Sequence, residues 1–328
     1  MINLAVTTAD STILTDIRNY TWHIRLGYAC INLTLGPNSR TSRTCRLANA
    51  RRHRLESLAR QNLQGLSEIL HWNVSQNIKL FRISSGIIPL ASHPNAQWPW
   101  QETLREEISR IGNFVRRHNL RLSMHPGQYT VLNSPIKRIV TAAEAELSYN
   151  ACFLDMLGLN PEHKIILHVG GVYGDRPRSL QRFRDNFHAQ PQEVKSRLVL
   201  ENDELSYNAS DVLTLCESLK VPMVFDYLHH QVYKNIHAFD DRLLGRVYST
   251  WSLKDGLPKL HYSTQKRAAR IGAHANMISA KDFIKFLQTL PGHDVDIMLE
   301  AKSKDRALLK LRKSLQAHKT GSNFFLIG

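Results

Sequence analysis

Six short apolar runs in this chain each end in a residue able to bind a metal. Residues 120–125, 164–168 and 258–261 end in His125, His168 and His261. Residues 198–201, 222–226 and 297–300 end in Glu201, Asp226 and Glu300. His229 and His274 follow two of these ends. A charged group closing a buried strand is costly unless it is paired or binds a cation. Three inward carboxylates in one mouth repel each other, and cations relieve that repulsion. The bland alternative for each is a salt bridge to a nearby Lys or Arg. Mixed His and carboxylate ligation suits Mn²⁺, Zn²⁺, Fe²⁺ or Co²⁺ better than Mg²⁺, which favours oxygen ligands and water. The pattern therefore reads as a metalloenzyme.

Two loops add to the pattern. Ser123-Met124-His125-Pro126-Gly127-Gln128-Tyr129 leads a ligand-type His into a Pro-Gly turn that presents a polar and an aromatic side chain. An aromatic ring in that place can substitute for base–base stacking. Tyr28 and Asn32, just after the first strand, are expected on the same face. His168-Val169-Gly170-Gly171-Val172-Tyr173-Gly174 puts glycines beside another ligand-type His, where backbone can approach a phosphate or metal.

Such residues converge when parallel strands close into a barrel and aim their C-terminal ends at one site. The spacing predicts strands at 24–28 and 81–84, at the six runs above, and helices between them. Helices are expected over 55–78, 102–118, 140–157, 178–187, 209–219, 279–290 and 305–316, with one more in the polar segment after Asp226. Ser279 is a candidate N-cap. Eight strand–helix units in alternation predict an α/β chain, a (β/α)₈ TIM barrel in a single domain. The expected division is an N-terminal extension over 1–22 and a barrel domain over 23–328. A length of 328 residues suits one such barrel.

The formal net charge is +15 and the sequence pI about 9.8. A barrel that binds a neutral sugar has no need of that charge. A polyanion explains it, because Lys and Arg release counterions from nucleic acid. Arg40, Arg43, Arg46, Arg51, Arg52 and Arg54 crowd one stretch. Cys30, Cys45, Cys152 and Cys216 form no C-x-x-C pair, which suits reduced thiols in a cytoplasmic protein. Nothing reads as a membrane span, and residues 1–22 carry Asp10 and Asp16 and do not read as a signal peptide. A cytoplasmic monomer is expected.

These motifs resemble the UV damage endonucleases, relatives of endonuclease IV. The resemblance rests on Arg25-Leu26-Gly27-Tyr28 with Asn32, Ala91-Ser92-His93-Pro94, the two loops above, and Leu200-Glu201-Asn202-Asp203-Glu204. It continues through Asp226-Tyr227-Leu228-His229-His230, Pro258-Lys259-Leu260-His261, Gly272-Ala273-His274 and Leu299-Glu300-Ala301-Lys302. It implies a repair enzyme that nicks DNA immediately 5′ to pyrimidine photoproducts, using three divalent cations, commonly manganese. The implied ligands are His125, His168, Glu201, Asp226, His229, His261, His274 and Glu300. His93 lies at the same mouth, as a ligand or beside the ligands, and Glu201 is expected to bridge two cations. The family carboxylates a lysine that Lys259 matches, where the endonuclease IV relatives have Asp-x-His. Gln128 and Tyr129 match a lesion-probing pair, and Tyr28 and Asn32 match contacts near the damage. An apurinic-site endonuclease of the endonuclease IV type, a metal-dependent sugar isomerase on the same fold, and a DNA-binding protein with a degenerate site are the alternatives.

Overall fold

The apolar runs are continuous because strands of a parallel barrel are buried on both faces. The computed structural model describes residues 22–233, 241–317 and 324–327. Its strands are β1 (Trp22–Ala29), β2 (Leu80–Ile83), β3 (Arg121–Met124), β4 (Lys164–His168), β5 (Leu198–Glu201), β6 (Met223–Asp226), β7 (Lys259–Tyr262) and β8 (Val295–Leu299). All pair in parallel with their neighbours in chain order. The barrel closes where β1 meets β8 from Ile24↔Val295 to Tyr28↔Leu299, and β2 from Gly27↔Leu80 to Ala29↔Arg82. Gly27 permits that closure, since a Cβ there would lie 2.5 Å from the Leu80 carbonyl oxygen. The expected (β/α)₈ TIM barrel is thus the observed fold.

The helices that wrap the barrel include α1 (Arg52–Ser75), α2 (Arg105–Arg117), α3 (Lys137–Met156), α4 (Arg176–His188) and α5 (Ala209–Leu219). Then come α6 (Tyr227–Val232), α7 (Asp241–Ser249), α8 (Ala280–Leu287) and α9 (Lys304–Ala317). The α5 boundaries match the expected ones, and an Asn208–Asp211 capping box explains the sharp start. Ser279 caps α8 as expected, accepting the Asp282 N–H. Helix α1 lies three residues earlier than expected, and the chain leaves it through Asn77 at φ 54°. The expected 102–118 helix is split, because Leu104 departs from helical geometry at φ −109° between a short turn, Trp100–Thr103, and α2.

Two expectations change at the ends. Trp22 was placed in an extension, but it opens β1. The rest of that extension, 1–21, lies outside the described residues. A ninth strand, β9 (Phe324–Ile327), pairs in parallel with Trp22–Arg25 of β1. Strand–helix alternation had no place for it. Among the described residues, no helix is long and apolar enough to cross a membrane.

The outer core lies between strands and helices and is apolar. The barrel interior is different. Ile166, Val199, Val224 and Trp251 fill part of it, but its N-terminal end is charged. Asp296 is fully buried and accepts from Arg25 Nε at 2.6 Å and from Arg121 Nη1 at 2.7 Å. Lys164 donates to Asp255 at 2.6 Å. Lys259, in register with Asp296, is fully buried beside them. Removing one partner of a buried ion pair leaves uncompensated charge. Asp296→Ala is expected to lower unfolding free energy by about 3–5 kcal/mol, measured by urea denaturation. A loss below about 1 kcal/mol would assign this network a minor role.

Candidate metal centre

Strand ends and the caps that follow them build the site. Glu201 ends β5 and is buried, with 1% of its surface exposed. Its Oε2 lies 2.9 Å from His125 Nε2 and 3.5 Å from His168 Nε2, and its Oε1 lies 2.7 Å from His261 Nδ1. One carboxylate thus joins imidazoles from the ends of β3, β4 and β7. Asp226 ends β6 and caps α6, accepting the His229 N–H at 2.7 Å. That cap turns His229 back towards the centre. Asn202 bonds the backbone of Asp226 in both directions, and its own carbonyl accepts from His229 Nδ1 at 3.0 Å. Glu300, one residue past β8, lies 3.4 Å from His261 Nδ1 and pairs with Arg82. His274 Nδ1 donates to the Glu300 carbonyl at 2.8 Å.

These outer bonds decide which ring nitrogen faces inward. His229 and His274 spend Nδ1 on carbonyls, which leaves Nε2 with a lone pair for a cation. His125 Nδ1 faces the Pro126 carbonyl at 3.2 Å and its Nε2 faces a Glu201 oxygen at 2.9 Å, and a neutral ring can donate only one of these two bonds. Satisfying both takes a further proton on the ring or a cation beside it. Among the described residues, His168 Nδ1, Asp226 Oδ2, His261 Nε2 and Lys259 Nζ are buried without a hydrogen-bond partner. Ligand atoms of His125, His168 and Glu201 lie within 4.8 Å of one another, as do those of Glu201, Asp226 and His261. The donor set fits divalent cations of the borderline type.

The electrostatics run the same way. Burial pushes Glu201 up, but His261, His168 and the hydrogen bonds from the imidazoles hold it well below the usual carboxylate range. Burial likewise opposes ionisation of Glu300, and Arg82 and His261 overcome it. Burial raises Asp226 to about 7. Burial disfavours charge on His229 too, but Asp226 and three further carboxylates outweigh it and raise His229 to about 9. Without metal, the Asp226–His229 pair therefore holds a proton. His168 is pushed down to about 4, chiefly by burial, and stays neutral.

The other expected residues divide. His93, Gln128 and Tyr129 line one open cavity with His168, His229 and His274. Tyr28 and Asn32 do not reach it. Tyr28 is fully buried, donates to Asn73 of α1 at 2.6 Å and accepts from Asn32 at 2.9 Å. Asn32 is 1% exposed and accepts from the backbone N–H groups of Thr34 and Leu35. The expected direct lesion contact is thus corrected to a buried brace for the loop after β1. Tyr28 faces α1 because it lies on the opposite face of β1 from the inward Arg25. Sequence reading passed over Arg82 and Asn202. Arg82 was visible as a lone cation in an apolar strand, two residues from the inward Leu80. Asn202 stands in the Leu200-to-Glu204 motif, which gave no sign of its bonds to the Asp226 backbone.

The description of the UV-endonuclease UvdE family matches residues 24–323. The chain belongs to that family. It is 38% identical over 294 residues to the UV DNA damage endonuclease of Clostridium perfringens, covering 89% of this chain and 71% of that one. Among solved structures, SacUVDE superposes with a TM-score of 0.84 at 37% identity, covering 90% of this chain and 99% of that one. Endonuclease IV from Thermus thermophilus shares the fold at 14% identity and TM-score 0.54, over 90% of this chain and 99% of its own. Family membership makes this chain a nuclease and sets aside the isomerase alternative.

The proton on Asp226–His229 gives the centre a pH dependence. A cation can take His229 only when the imidazole is neutral, so binding displaces the proton below a pH of about 9. Metal affinity is expected to rise with pH up to that value. Calorimetric titration of metal-free protein with Mn²⁺, in two buffers of different ionisation enthalpy near neutral pH, reads the released proton directly. No buffer dependence would contradict the assignment.

Proposed function

We propose that this protein is a metal-dependent endonuclease that hydrolyses the phosphodiester immediately 5′ to UV photoproducts in double-stranded DNA. Pyrimidine dimers and 6-4 photoproducts are the substrates, and the products carry a 3′-hydroxyl and a 5′-phosphate. The carrying observation is the bonded His and carboxylate cluster beneath a cavity rimmed by exposed Gln128 and Tyr129, in a UvdE family chain. That cavity measures about 1230 Å³, above the ~300–1,000 Å³ usual for a small ligand. A segment of polymer fits it better than one sugar.

The partner reading rests on charge. The chain carries +15, and although Arg138 and Arg270 line the cavity, most of the basic residues lie outside it. Arg46, Arg51, Arg52 and Arg54 are exposed at and before the start of α1, with no acidic residue in its first turn. Cations at a helix N-terminus oppose its dipole, so phosphate is their natural partner. They lie in the β1–α1 segment, which leaves the barrel on the face where the site opens. The protein acts on DNA as a monomer in this reading.

Three divalent cations, Mn²⁺ first and Zn²⁺, Co²⁺ or Fe²⁺ after it, are proposed to occupy the centre. His125, His168, Glu201, Asp226, His229, His261, His274 and Glu300 would hold them. Bound there, the cations would supply an acidified water and neutralise charge on the departing 3′ oxygen. The chain's own groups do the rest. Glu201 fixes three imidazoles relative to one another. Arg82 keeps Glu300 ionised and in place, and Asn202 and Asp226 aim His229. His93, half-buried at the rim, would lie beside the scissile phosphate. Photoproducts stack and pair poorly, so extruding them costs less than extruding normal bases. Gln128 and Tyr129 would fill the gap they leave.

Lys259 is proposed to be carboxylated. Its amine is fully buried, unpartnered among the described residues, and held well below its usual pKa by burial and then by Arg121. A neutral amine attacks CO₂ and loses a proton to give a carbamate. Arg121, Arg25 and Arg82 would stabilise its charge.

Two experiments test this reading. An end-labelled duplex with one thymine dimer should be cut immediately 5′ to the lesion with Mn²⁺ and left intact with chelator. Glu201→Gln and His261→Ala should each slow incision by about 10³-fold or more while keeping DNA affinity, which comes from phosphate contacts. Full incision under chelator would end the reading. For Lys259, Zn²⁺-loaded protein, which is diamagnetic, should show in ¹³C-bicarbonate a carbamate carbon resonance that Lys259→Ala lacks. Its absence at saturating bicarbonate would leave Lys259 a bare amine.

A further inference from the structure

Leu205 is an anomaly at the rim. It follows β5 by four residues and is 77% exposed, yet it lines the same cavity as Tyr129, His168 and His229. Exposed leucines are common on surfaces, so exposure alone carries nothing. The loop beneath it does. Asp203 Oδ1 accepts the N–H groups of both Leu205, at 2.7 Å, and Ser206, and Oδ2 accepts that of Tyr207 at 3.1 Å. The Asp203 N–H donates to the Tyr207 carbonyl at 3.0 Å. Tyr207 is fully buried, and its hydroxyl donates to the Gly171 carbonyl at 3.2 Å. Arg176 lies over the Tyr207 ring and donates to the Ser206 carbonyl at 2.7 Å. The residues on either side of Leu205 are thus tied down on several sides, and the apolar side chain stands alone at the tip.

A rigid loop that presents an uncovered apolar group loses little entropy when something covers it. The occupant must lie in the cavity, and the cavity belongs to DNA in the reading proposed above, on which this inference rests. The sugar–phosphate backbone is polar and charged and would gain little from a leucine. The face of a base that has left the stack is apolar and would gain most. We propose that Leu205 is a specificity-determining residue that packs against the face of a base extruded into the cavity. It works apart from Gln128 and Tyr129, which stand on the loop after β3 and enter the space the base vacates. Lesion preference would then have two sources: filling the gap in the helix, and holding the base outside it.

The test compares affinities for matched duplexes with and without a single thymine dimer at fixed salt and fixed Mn²⁺ concentration, using the full-length Glu201→Gln protein, which is expected to bind without incising. In that background Leu205→Ala should lower the damaged-to-intact affinity ratio about tenfold, the loss of a buried apolar side chain. Affinity for intact duplex and the thermal midpoint should barely change, because Leu205 is 77% exposed in the free protein. Leu205→Met should restore most of the ratio. An unchanged ratio in Leu205→Ala, or an equal loss on both duplexes, would overturn the inference. If the parent protein shows no preference for the damaged duplex, the lesion reading fails and this inference with it. If the parent prefers damage, and Gln128→Ala with Tyr129→Ala reduces the preference while Leu205→Ala does not, only the inference fails.

Discussion

Glu201 is a carboxylate shut inside a barrel, and the site is arranged around the cost of keeping it ionised. Desolvation alone would protonate it. Imidazoles from three strands reverse that, and they can do so because the barrel brings β3, β4 and β7 to one mouth. The same arrangement makes the cluster incomplete. A neutral His125 cannot donate to both Pro126 and Glu201, and among the described residues Asp226 Oδ2 and His261 Nε2 have no hydrogen-bond partner. Buried polar groups left in that state each cost free energy. Cations satisfy several of them at once. The proposed dependence on metal would in this sense be a consequence of where Glu201 was put.

Arg82 shows how the surplus negative charge is handled. Glu300 and Glu201 both lie within its field, and it pairs directly with Glu300. A guanidinium keeps its charge even when buried, so this side of the mouth is neutralised permanently. The Asp226–His229 side is neutralised by a proton that can leave. One wall of the centre is therefore fixed and the other exchangeable. The exchangeable wall is the one held by the Asn202 brace.

What the sequence revealed follows from strand geometry. The convergence of His125, Glu201 and Asp226 on one mouth was legible because each closes a short apolar run, and parallel barrel strands aim those ends at one place. That Lys259 is buried on the same strand as His261 follows from their spacing of two, while its role was an implication of the resemblance. Tyr28 was misread for a related reason. Arg25 faces inward, so Tyr28, three residues on, must face α1, and its motif neighbours concealed that parity. Arg82 was passed over although the same parity applied to it. The charged floor, with Asp296 between Arg25 and Arg121, was beyond reach: residues from β1, β3 and β8 meet there, and only closure of the barrel makes them neighbours. Strand β9 was missed because it adds to the sheet outside the alternation that defines the fold.

The floor and the rim solve opposite problems. At the floor, charges are deeply buried and paired, which costs stability relative to apolar packing but leaves no freedom. Lys259 sits between floor and centre, and burial first, then Arg121, holds its amine well below the usual lysine range. At the rim, Tyr129 and Leu205 are apolar and open to water, 82% and 77% exposed. Neither state is the cheapest for a folded chain. Both become reasonable if DNA, as proposed, supplies what is missing, with phosphate charge for the basic flank and base faces for the rim. The metal centre between them needs the floor to stay rigid and the rim to stay uncovered. A barrel meets both needs, because its strands set the floor and its loops set the rim independently.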